Sequence, residues 1–319
     1  MSDSKKFIVS HAPFWHSGSS VSERHLNLIA AALPAVLFGL TQYGGPALAV
    51  IAFSVSTAMI WEMLLNAAMK RPQTVTDGHA ALIGLLFAML LPASAPWWLV
   101  LTGTFVSVVV GKMIFGGIGA NPFHPALLGY GILFVSWGDY FDFNEALRNY
   151  DLGFEMLYPL WSAKFFGPDA VAHFSSWDLL AGQQIGGIGA TFGIGLIAGG
   201  LYLIARGFVR WEIPASFLAG VFVTAFIFHA AAPDRYAGPL FHLFTGYTLL
   251  GAFFLAPEDS SSPVNFIPML IYGAGAGMLT MLIRNIGVYV DGVAFAIILM
   301  NIANPLIDKI RPKAIGKVA

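Results

Sequence analysis

Ten runs of mostly apolar residues follow one another along this chain of 319 residues, and they restrict its fold more than any other feature. A helix that crosses a membrane needs about 20 apolar residues. Apolar residues make up 57% of the sequence and charged residues only 10%, whereas soluble domains carry about 25% charged residues. We therefore predict an all-α integral membrane protein with ten transmembrane helices. The predicted spans are residues 25–44, 45–69, 77–95, 96–115, 126–139, 183–206, 213–232, 240–256, 265–284 and 287–307.

The basic residues are distributed unevenly around these spans. Cytoplasmic loops of membrane proteins are enriched in Lys and Arg. Ten spans place both termini on one side, which would hold twelve of the sixteen basic residues. We therefore predict that both termini are cytoplasmic and that the acidic loop 140–182 is external. The twelve are Lys5, Lys6, Arg24, Lys70, Arg71, Lys112, Arg206, Arg210, Lys309, Arg311, Lys313 and Lys317, and the other four are Arg148, Lys164, Arg235 and Arg284.

A weak internal repeat divides the chain into two halves. LIGLLF at residues 82–87 resembles LLGAFF at 249–254, and SAP at 94–96 meets SSP at 261–263 at the same offset of 167 residues. With five spans in each half, the second half would be inverted relative to the first, with its sites at the interface between them. The predicted organisation is a cytoplasmic segment 1–24, a five-helix repeat 25–139, an external loop 140–182, a second five-helix repeat 183–307 and a cytoplasmic tail 308–319.

The segment GGIGANPFHPA, Gly116 to Ala126, interrupts the apolar pattern. Glycine and proline disfavour a helix interior, and irregular backbone at membrane depth is tolerated only where protein buries it or where it lines a cavity. Asn121 and His124 lie three residues apart, so both could reach one polar ligand, such as the edge of a flavin ring. A structural role for the histidine is the alternative. The repeat gives this segment a counterpart at Gly287–Ala294, and we expect the two segments to face each other.

Four acidic residues are candidates for an ion path, because ionisable groups inside a membrane are expensive to keep. Asp77 and Asp291 each precede a glycine at the start of a span, where helix N-capping is the alternative role. Glu62 lies late in the second span and could instead extend toward the interface. Glu258 follows the eighth span and could instead be solvated. The chain has no cysteine, so it offers no thiolate for iron–sulfur ligation, and we predict no catalytic residue and no metal site.

The sequence GIGAT at Gly187–Thr191 lies at the start of the sixth span and allows three interpretations. Its amides could bind phosphate at the start of a helix. Its Gly-Ala-Thr ending also looks like a flavin-attachment signature. The third interpretation is a flexible start of the span.

Five stretches resemble the D subunit of Rnf electron-transport complexes and, more distantly, the B subunit of the sodium-pumping quinone reductase. The resemblance implies a multi-pass subunit, not catalytic alone, of a bacterial inner-membrane complex that couples electron flow between ferredoxin and NAD to Na⁺ or H⁺ movement. Its partners would be the A, B, C, E and G subunits and membrane lipid, with no nucleic acid. The stretches are Asp77–Trp98, Phe115–Tyr130, Gly187–Pro214, Phe241–Phe254 and Asp291–Asp308.

The resemblance also implies an FMN attached through its phosphate to a Thr of the external loop, in a motif close to Asp-x-x-Ser-Gly-Ala-Thr. That motif lies upstream of the Gly-rich turn, so Thr191 is not the expected acceptor. Its counterpart here is DAVAHFSSWDLL, residues 169–180. Asp169 matches the family's Asp, His173 is one of the replacements of small residues, and Ser175 stands at the acceptor position. Covalent FMN at Ser175, non-covalent FMN in the same pocket, and no flavin there are the alternatives.

The segment Gly116–Ala126, called the opening segment from here on, departs from the family pattern as well. The usual Asn-Pro-Phe-Asn-Pro, which lies beside a riboflavin in the quinone-reductase relative, has His124 in place of its second Asn. The histidine keeps hydrogen-bonding capacity and adds a group that titrates near neutrality.

Three other functions fit the sequence. They are a urea- or ammonium-type channel or transporter without a redox role, the quinone-reductase B subunit, whose N-terminal extension the sequence does not show, and a scaffold that has lost its flavin.

Overall fold

The computed structural model describes residues 20–310, and within them the chain forms helices and turns with no strand. Most of the predicted cytoplasmic segment 1–24 and of the tail 308–319 therefore lies outside the described residues. The same holds for five of the counted basic residues, Lys5, Lys6, Arg311, Lys313 and Lys317.

Fourteen α-helices follow one another in the described part of the chain. Each of the ten predicted spans overlaps at least one of them. The helices are α1 Val21–Tyr43, α2 Gly45–Ala68, α3 His79–Leu90, α4 Trp97–Phe105, α5 Pro125–Ser136, α6 Phe143–Ala146, α7 Pro159–Phe166, α8 Ser176–Ala181, α9 Gly193–Ala205, α10 Glu212–Ala231, α11 Pro239–Phe244, α12 Thr248–Leu250, α13 Phe266–Asn285 and α14 Val293–Ile307.

Two helices continue beyond these bounds as wider π-helical turns. α4 runs on as Val106–Met113, and α12 runs on as Gly251–Leu255. Short 3₁₀ turns occupy Val75–Asp77, Gly138–Phe141 and Pro168–Val171. π-Helical turns are rare and often mark functional positions.

Four described helices, α1, α2, α10 and α13, are long and apolar enough to cross a membrane by length and composition. The other apolar helices are shorter, because glycines, prolines and broken segments interrupt them. The shorter ones are His79–Leu90, Trp97–Met113, Pro125–Ser136, Gly193–Ala205 and Val293–Ile307. The structure thus confirms an all-helical protein with membrane-spanning capacity, and the count of ten crossings stays a prediction.

Helices from the first and second parts of the chain pack on each other. α1 contacts α9, and α5 contacts α14, whereas α2 packs on α3 and α4 and α10 packs on α13. Small residues bring backbones close at these contacts, as in membrane helix pairs generally. A Cβ added to Gly199 of α9 would lie 2.1 Å from the carbonyl oxygen of Ala31 in α1.

The Gly-rich segment Gly187–Thr191 closes the end of α3. The amide of Ile188 donates to the carbonyl of Leu91 at 3.0 Å, and the amide of Gly189 donates to the carbonyl of Met89 at 3.3 Å. The whole segment is buried, and α9 begins only at Gly193. Two of its amides are therefore used by carbonyls at the end of α3, and the segment packs before α9 instead of forming its first turn.

Candidate functional site

The opening segment Gly116–Ala126 lies against the chain that follows α12. The Asn121 side-chain amide donates to the carbonyl of Phe123 at 3.0 Å and to Glu258 Oε1 at 3.2 Å. The carboxylate of Glu258 also accepts from the amide of Ser261 at 2.9 Å and from its hydroxyl at 2.5 Å. Glu258 therefore joins the two halves of the chain and is not simply a solvated loop residue.

The segments expected to face each other lie apart. Gly287–Ala294 packs against α7, where Lys164 Nζ donates to the carbonyls of Gly287 and Tyr289 at 2.7 Å each. The partner of the opening segment is the Glu258 turn instead. The expectation was wrong because Gly287–Ala294 is held against α7, whereas the opening segment is held by the turn that contains Glu258.

His124 acts first as a helix cap. Its Nδ1 accepts from the amide of Leu127 at 3.4 Å, at the start of α5, and its own amide donates to Asn301 Oδ1 at 3.3 Å. The buried Asn121 has its amide occupied, although its Oδ1 has no partner in the described residues. The sequence led us to expect that both side chains could reach one polar ligand. In the structure each side chain instead bonds to the protein, and the two are not directed at one open site.

Three histidines line a cleft of about 60 Å³ beside the opening segment: His25, His79 and His124. The ring of His25 stacks on that of His79 with centroids 4.7 Å apart, and Arg24 pairs with Asp259 at the cleft's edge. Only His124 is predicted from the sequence. The position of His25 and His79 at span ends on the same predicted side is the signal that would have found them. The cleft is large enough for water or a small ion.

Asp77 and Asp291 both accept from amides at the start of the following helix. Asp77 Oδ1 lies 2.7 Å from the amide of His79, and Asp291 Oδ1 lies 3.1 Å from the amide of Val293. Each bond spans two residues, as in an Asx turn, and the N-cap positions themselves are held by Gly78 and Gly292. Both Asp residues therefore lie one position before the N-cap that the sequence suggests for them. Asp291 Oδ2 also accepts from the amide of Tyr247 at 2.8 Å, so this carboxylate additionally ties α14 to the break before α12.

Glu62 forms a buried ion pair instead of extending to the interface. Its Oε1 lies 2.8 Å from Lys112 Nζ, in the π-helical part of α4, and accepts from the hydroxyl of Thr74 at 2.5 Å. The side chains of Glu62 and Lys112 are 0% and 1% exposed. Glu62 Oε2 has no partner among the described residues. A cavity of about 220 Å³ connects this pair with Gly116 and Gly117 of the opening segment.

A second buried ion pair lies beside the break between α11 and α12. Arg284 and Asp291 are 3.0 Å apart, with side chains 2% and 7% exposed. The guanidinium also donates to the carbonyls of His242 and Thr245 and to the hydroxyl of Thr248. Among the described residues, each half of the chain therefore holds one buried ion pair next to a break in its helices. Such pairs contain the fixed charges that an ion path through a membrane protein requires.

The expected flavin-attachment residues lie on exposed turns before and at the start of α8. Ser175 caps α8: its Oγ accepts from the amide of Asp178 at 3.1 Å and donates to the Asp178 carboxylate at 2.6 Å. His173 pairs with Glu155 at 2.5 Å. Asp169 is exposed, and its backbone carbonyl accepts from the amide of Ala172. The Ser175 hydroxyl is thus accessible, but it already serves the helix cap.

An aromatic cavity of about 270 Å³ lies below this loop. Its walls come from the loop and from α5, α7 and the break before α12, and Asp291 stands at its edge. Aromatic walls with a few polar groups suit a flat heteroaromatic ring. The sequence does not predict this cavity, because its aromatic residues come from separate elements and form no local motif. The aromatic lining residues are Tyr130, Phe134, Phe141, Phe143, Tyr158, Trp161, Phe165 and Tyr247.

Comparison with known proteins covers the chain almost end to end. Residues 8–316 match the NQR2, RnfD, RnfE family. A Pseudomonas aeruginosa protein, named as the D subunit of the ion-translocating oxidoreductase complex, is 37% identical over 91% of this chain and 90% of its own length. The proteins of the same name from Cronobacter sakazakii and Klebsiella pneumoniae are each 33% identical, over 97% of this chain and 99% of their own length. With its helical fold and nearly full-length match, the chain belongs to the NQR2, RnfD, RnfE family.

Proposed function

We propose that this chain is the D subunit of an Rnf-type ion-translocating oxidoreductase, which passes electrons between ferredoxin and NAD. The nearly full-length match to relatives of that name carries the proposal. The chain would work with the A, B, C, E and G subunits in the bacterial inner membrane and would not be catalytic alone. Its lack of cysteine means that any iron–sulfur centre of the complex must be held by a partner.

The proposed topology has ten crossings in two inverted five-helix repeats with both termini cytoplasmic. Gly78 and Gly246 support the repeat: both have positive φ, 77° and 63°, at the start of a helix, and they lie 168 residues apart. Arg24, Arg206 and Phe208 lie close together at the end of the bundle proposed as cytoplasmic.

Because the chain contains no cysteine, single cysteines can test this topology directly. Glu145→Cys, in the loop proposed as external, should react with a membrane-impermeant maleimide in intact spheroplasts. Lys309→Cys should react only after the membrane is permeabilised. Both native side chains are exposed, so burial does not limit either reaction, and the cysteine-free chain is the control. Labelling of Lys309→Cys from outside would contradict the orientation.

We further propose that the protein holds FMN near the external loop, with the ring in the aromatic cavity. A bound flavin supplies the capacity to accept and pass on single electrons. The aromatic residues would position the ring and exclude water, while Tyr130, Tyr158 and Asp291 would provide its polar contacts. Riboflavin beside the opening segment has less support, because the cleft that His124 lines is only about 60 Å³.

The ion path is proposed to run beside the broken segments, past Glu62, Asp77, Glu258 and Asp291. Glu62 supports this proposal most strongly, since its unpartnered Oε2 and the adjoining cavity of about 220 Å³ leave space for a hydrated cation. Carboxylate oxygens are suitable ligands or proton carriers for such a path.

In-gel fluorescence tests the flavin proposal. The natively expressed complex is denatured, and the band of this protein is viewed under ultraviolet light beside the Ser175→Ala and Ser176→Ala variants. A covalent ester at Ser175 predicts a fluorescent band that only Ser175→Ala loses. Non-covalent FMN predicts a dark band with flavin in the acid-released fraction. A dark band with no released flavin from the complex would contradict the flavoprotein proposal.

A further inference from the structure

A cavity of about 220 Å³ at the end of the bundle that carries the external loop has no role in the proposals above. It lies beside the second buried ion pair, between α7, α11 and the end of α13. Lys164, Arg235, His242, Arg284 and Asn285 supply its polar lining, and none of its described lining residues is acidic. We refer to it as the cationic cavity.

Its positive charge is only partly compensated. Arg284 is paired with Asp291, but in the described part of the chain no carboxylate pairs with Lys164 or Arg235. Two of the three N–H groups of the Lys164 ammonium donate to the carbonyls of Gly287 and Tyr289. The guanidinium carbon of Arg235 lies 5.3 Å from the ring centroid of Tyr236. Partial burial lowers the pKa of the Lys164 ammonium from its usual value. An anion in the cavity would offset this desolvation.

Two side chains of the lining also have buried polar atoms without hydrogen-bond partners. Both ring nitrogens of His242 and the Nδ2 of Asn285 are unpaired among the described residues, and His242 is only 4% exposed. Buried polar atoms in folded proteins nearly always have a partner. A ring nitrogen that carries a proton and an amide NH₂ are both donors, which an oxygen-rich anion can satisfy.

The cationic cavity adjoins the aromatic cavity. Phe165 and Val290 line both cavities and therefore lie at the boundary between them. A ligand that spans the two would have a flat aromatic part at one end and a compact anionic part at the other. The cationic cavity offers donors without partners, whereas the Ser175 hydroxyl already serves as the cap of α8.

We propose that the cationic cavity binds a phosphate group, and that this phosphate belongs to FMN held without a covalent bond while its ring occupies the aromatic cavity. The inference rests on the proposed flavin function and adds the group that holds the phosphate. Arg235 and Lys164 provide the charge, and His242 and Asn285 provide the neutral donors. A phospholipid headgroup presents the same phosphate chemistry and is distinguished below.

The test compares FMN with riboflavin, which has the same ring and lacks the phosphate. The whole complex is depleted of releasable flavin and titrated with each compound, and binding is followed by quenching of flavin fluorescence. Because hydrogen bonds to charged groups are the stronger ones, we expect FMN to bind at least about tenfold more tightly than riboflavin. Arg235→Gln should remove most of that advantage and leave riboflavin binding unchanged. Arg148→Gln, an exposed cation of the same loop outside the cavity, should retain it.

The ratio of the two affinities is measured within one preparation, so a partly misfolded variant does not distort it. Equal affinity for FMN and riboflavin, or an FMN advantage that survives Arg235→Gln, would overturn the inference while leaving a flavoprotein. Covalent flavin on this protein's band would overturn it as well. Phospholipid retained by the complex and lost in Arg235→Gln, without an FMN preference, would keep the phosphate site but reject FMN as its source. No binding of either flavin would reject the flavin proposal itself.

Discussion

Replacing Lys112 by methionine should destabilise the folded protein by about 3–5 kcal/mol, because it leaves the Glu62 carboxylate buried without its cation. The two side chains lie 2.8 Å apart and are almost fully buried. Thermal unfolding of the detergent-solubilised complex, followed by size-exclusion chromatography with fluorescence detection, would measure the loss. Lys70→Met is the matched control, since Lys70 is an exposed lysine just beyond the end of α2.

A double variant separates a structural role of this pair from a role in ion passage. Glu62→Gln with Lys112→Met removes both charges, and replacement of a whole buried pair by neutral groups is often tolerated. We expect assembly to recover toward the native level while ferredoxin-driven ion uptake into vesicles stays low. Full uptake by the assembled double variant would assign the pair to stability alone. Lys112→Met as stable as Lys70→Met would contradict the buried pair itself.

The helical class and the positions of the long helices could be predicted from the sequence, because apolar runs report directly on membrane burial. The interruption at Gly116–Ala126 was also predictable, since glycine and proline act on the local backbone. The part of the chain that this segment contacts was not predictable. The bond from Asn121 to Glu258 joins residues 137 positions apart, and neither residue belongs to a pattern that encodes the pairing.

The candidate sites show the same limit. Asp77 and Asp291 were identifiable because an Asp-Gly sequence before a helix has a local meaning, and both do accept from first-turn amides. The partner of Glu62 was not identifiable, because Lys112 is 50 residues away and meets it only through the packing of α2 on the π-helical continuation of α4. The aromatic and cationic cavities are assembled from several elements, so they exist only once the tertiary structure is formed.

Replacing Arg284 by methionine should be comparably destabilising, by about 3–5 kcal/mol, because one guanidinium satisfies four groups at the break before α12. It pairs with Asp291 and donates to the carbonyls of His242 and Thr245 and to the hydroxyl of Thr248. These bonds are buried, and a buried acceptor that loses its donor costs the desolvation of that group. The same thermal measurement would detect the change.

Arg284→Lys distinguishes the charge from the geometry. A lysine keeps the pairing with Asp291, but its compact ammonium on a flexible stem cannot reproduce the fork that reaches all four acceptors. We expect an intermediate loss of about 1–3 kcal/mol, as for leaving one or two buried acceptors unpaired. Arg148→Met, at an arginine whose side chain is 76% exposed, should change little. Equal losses for Arg284→Lys and Arg284→Met would mean that the hydrogen-bonded fork, and not the charge, holds the break. No loss in either would show that the break between α11 and α12 is held by other contacts.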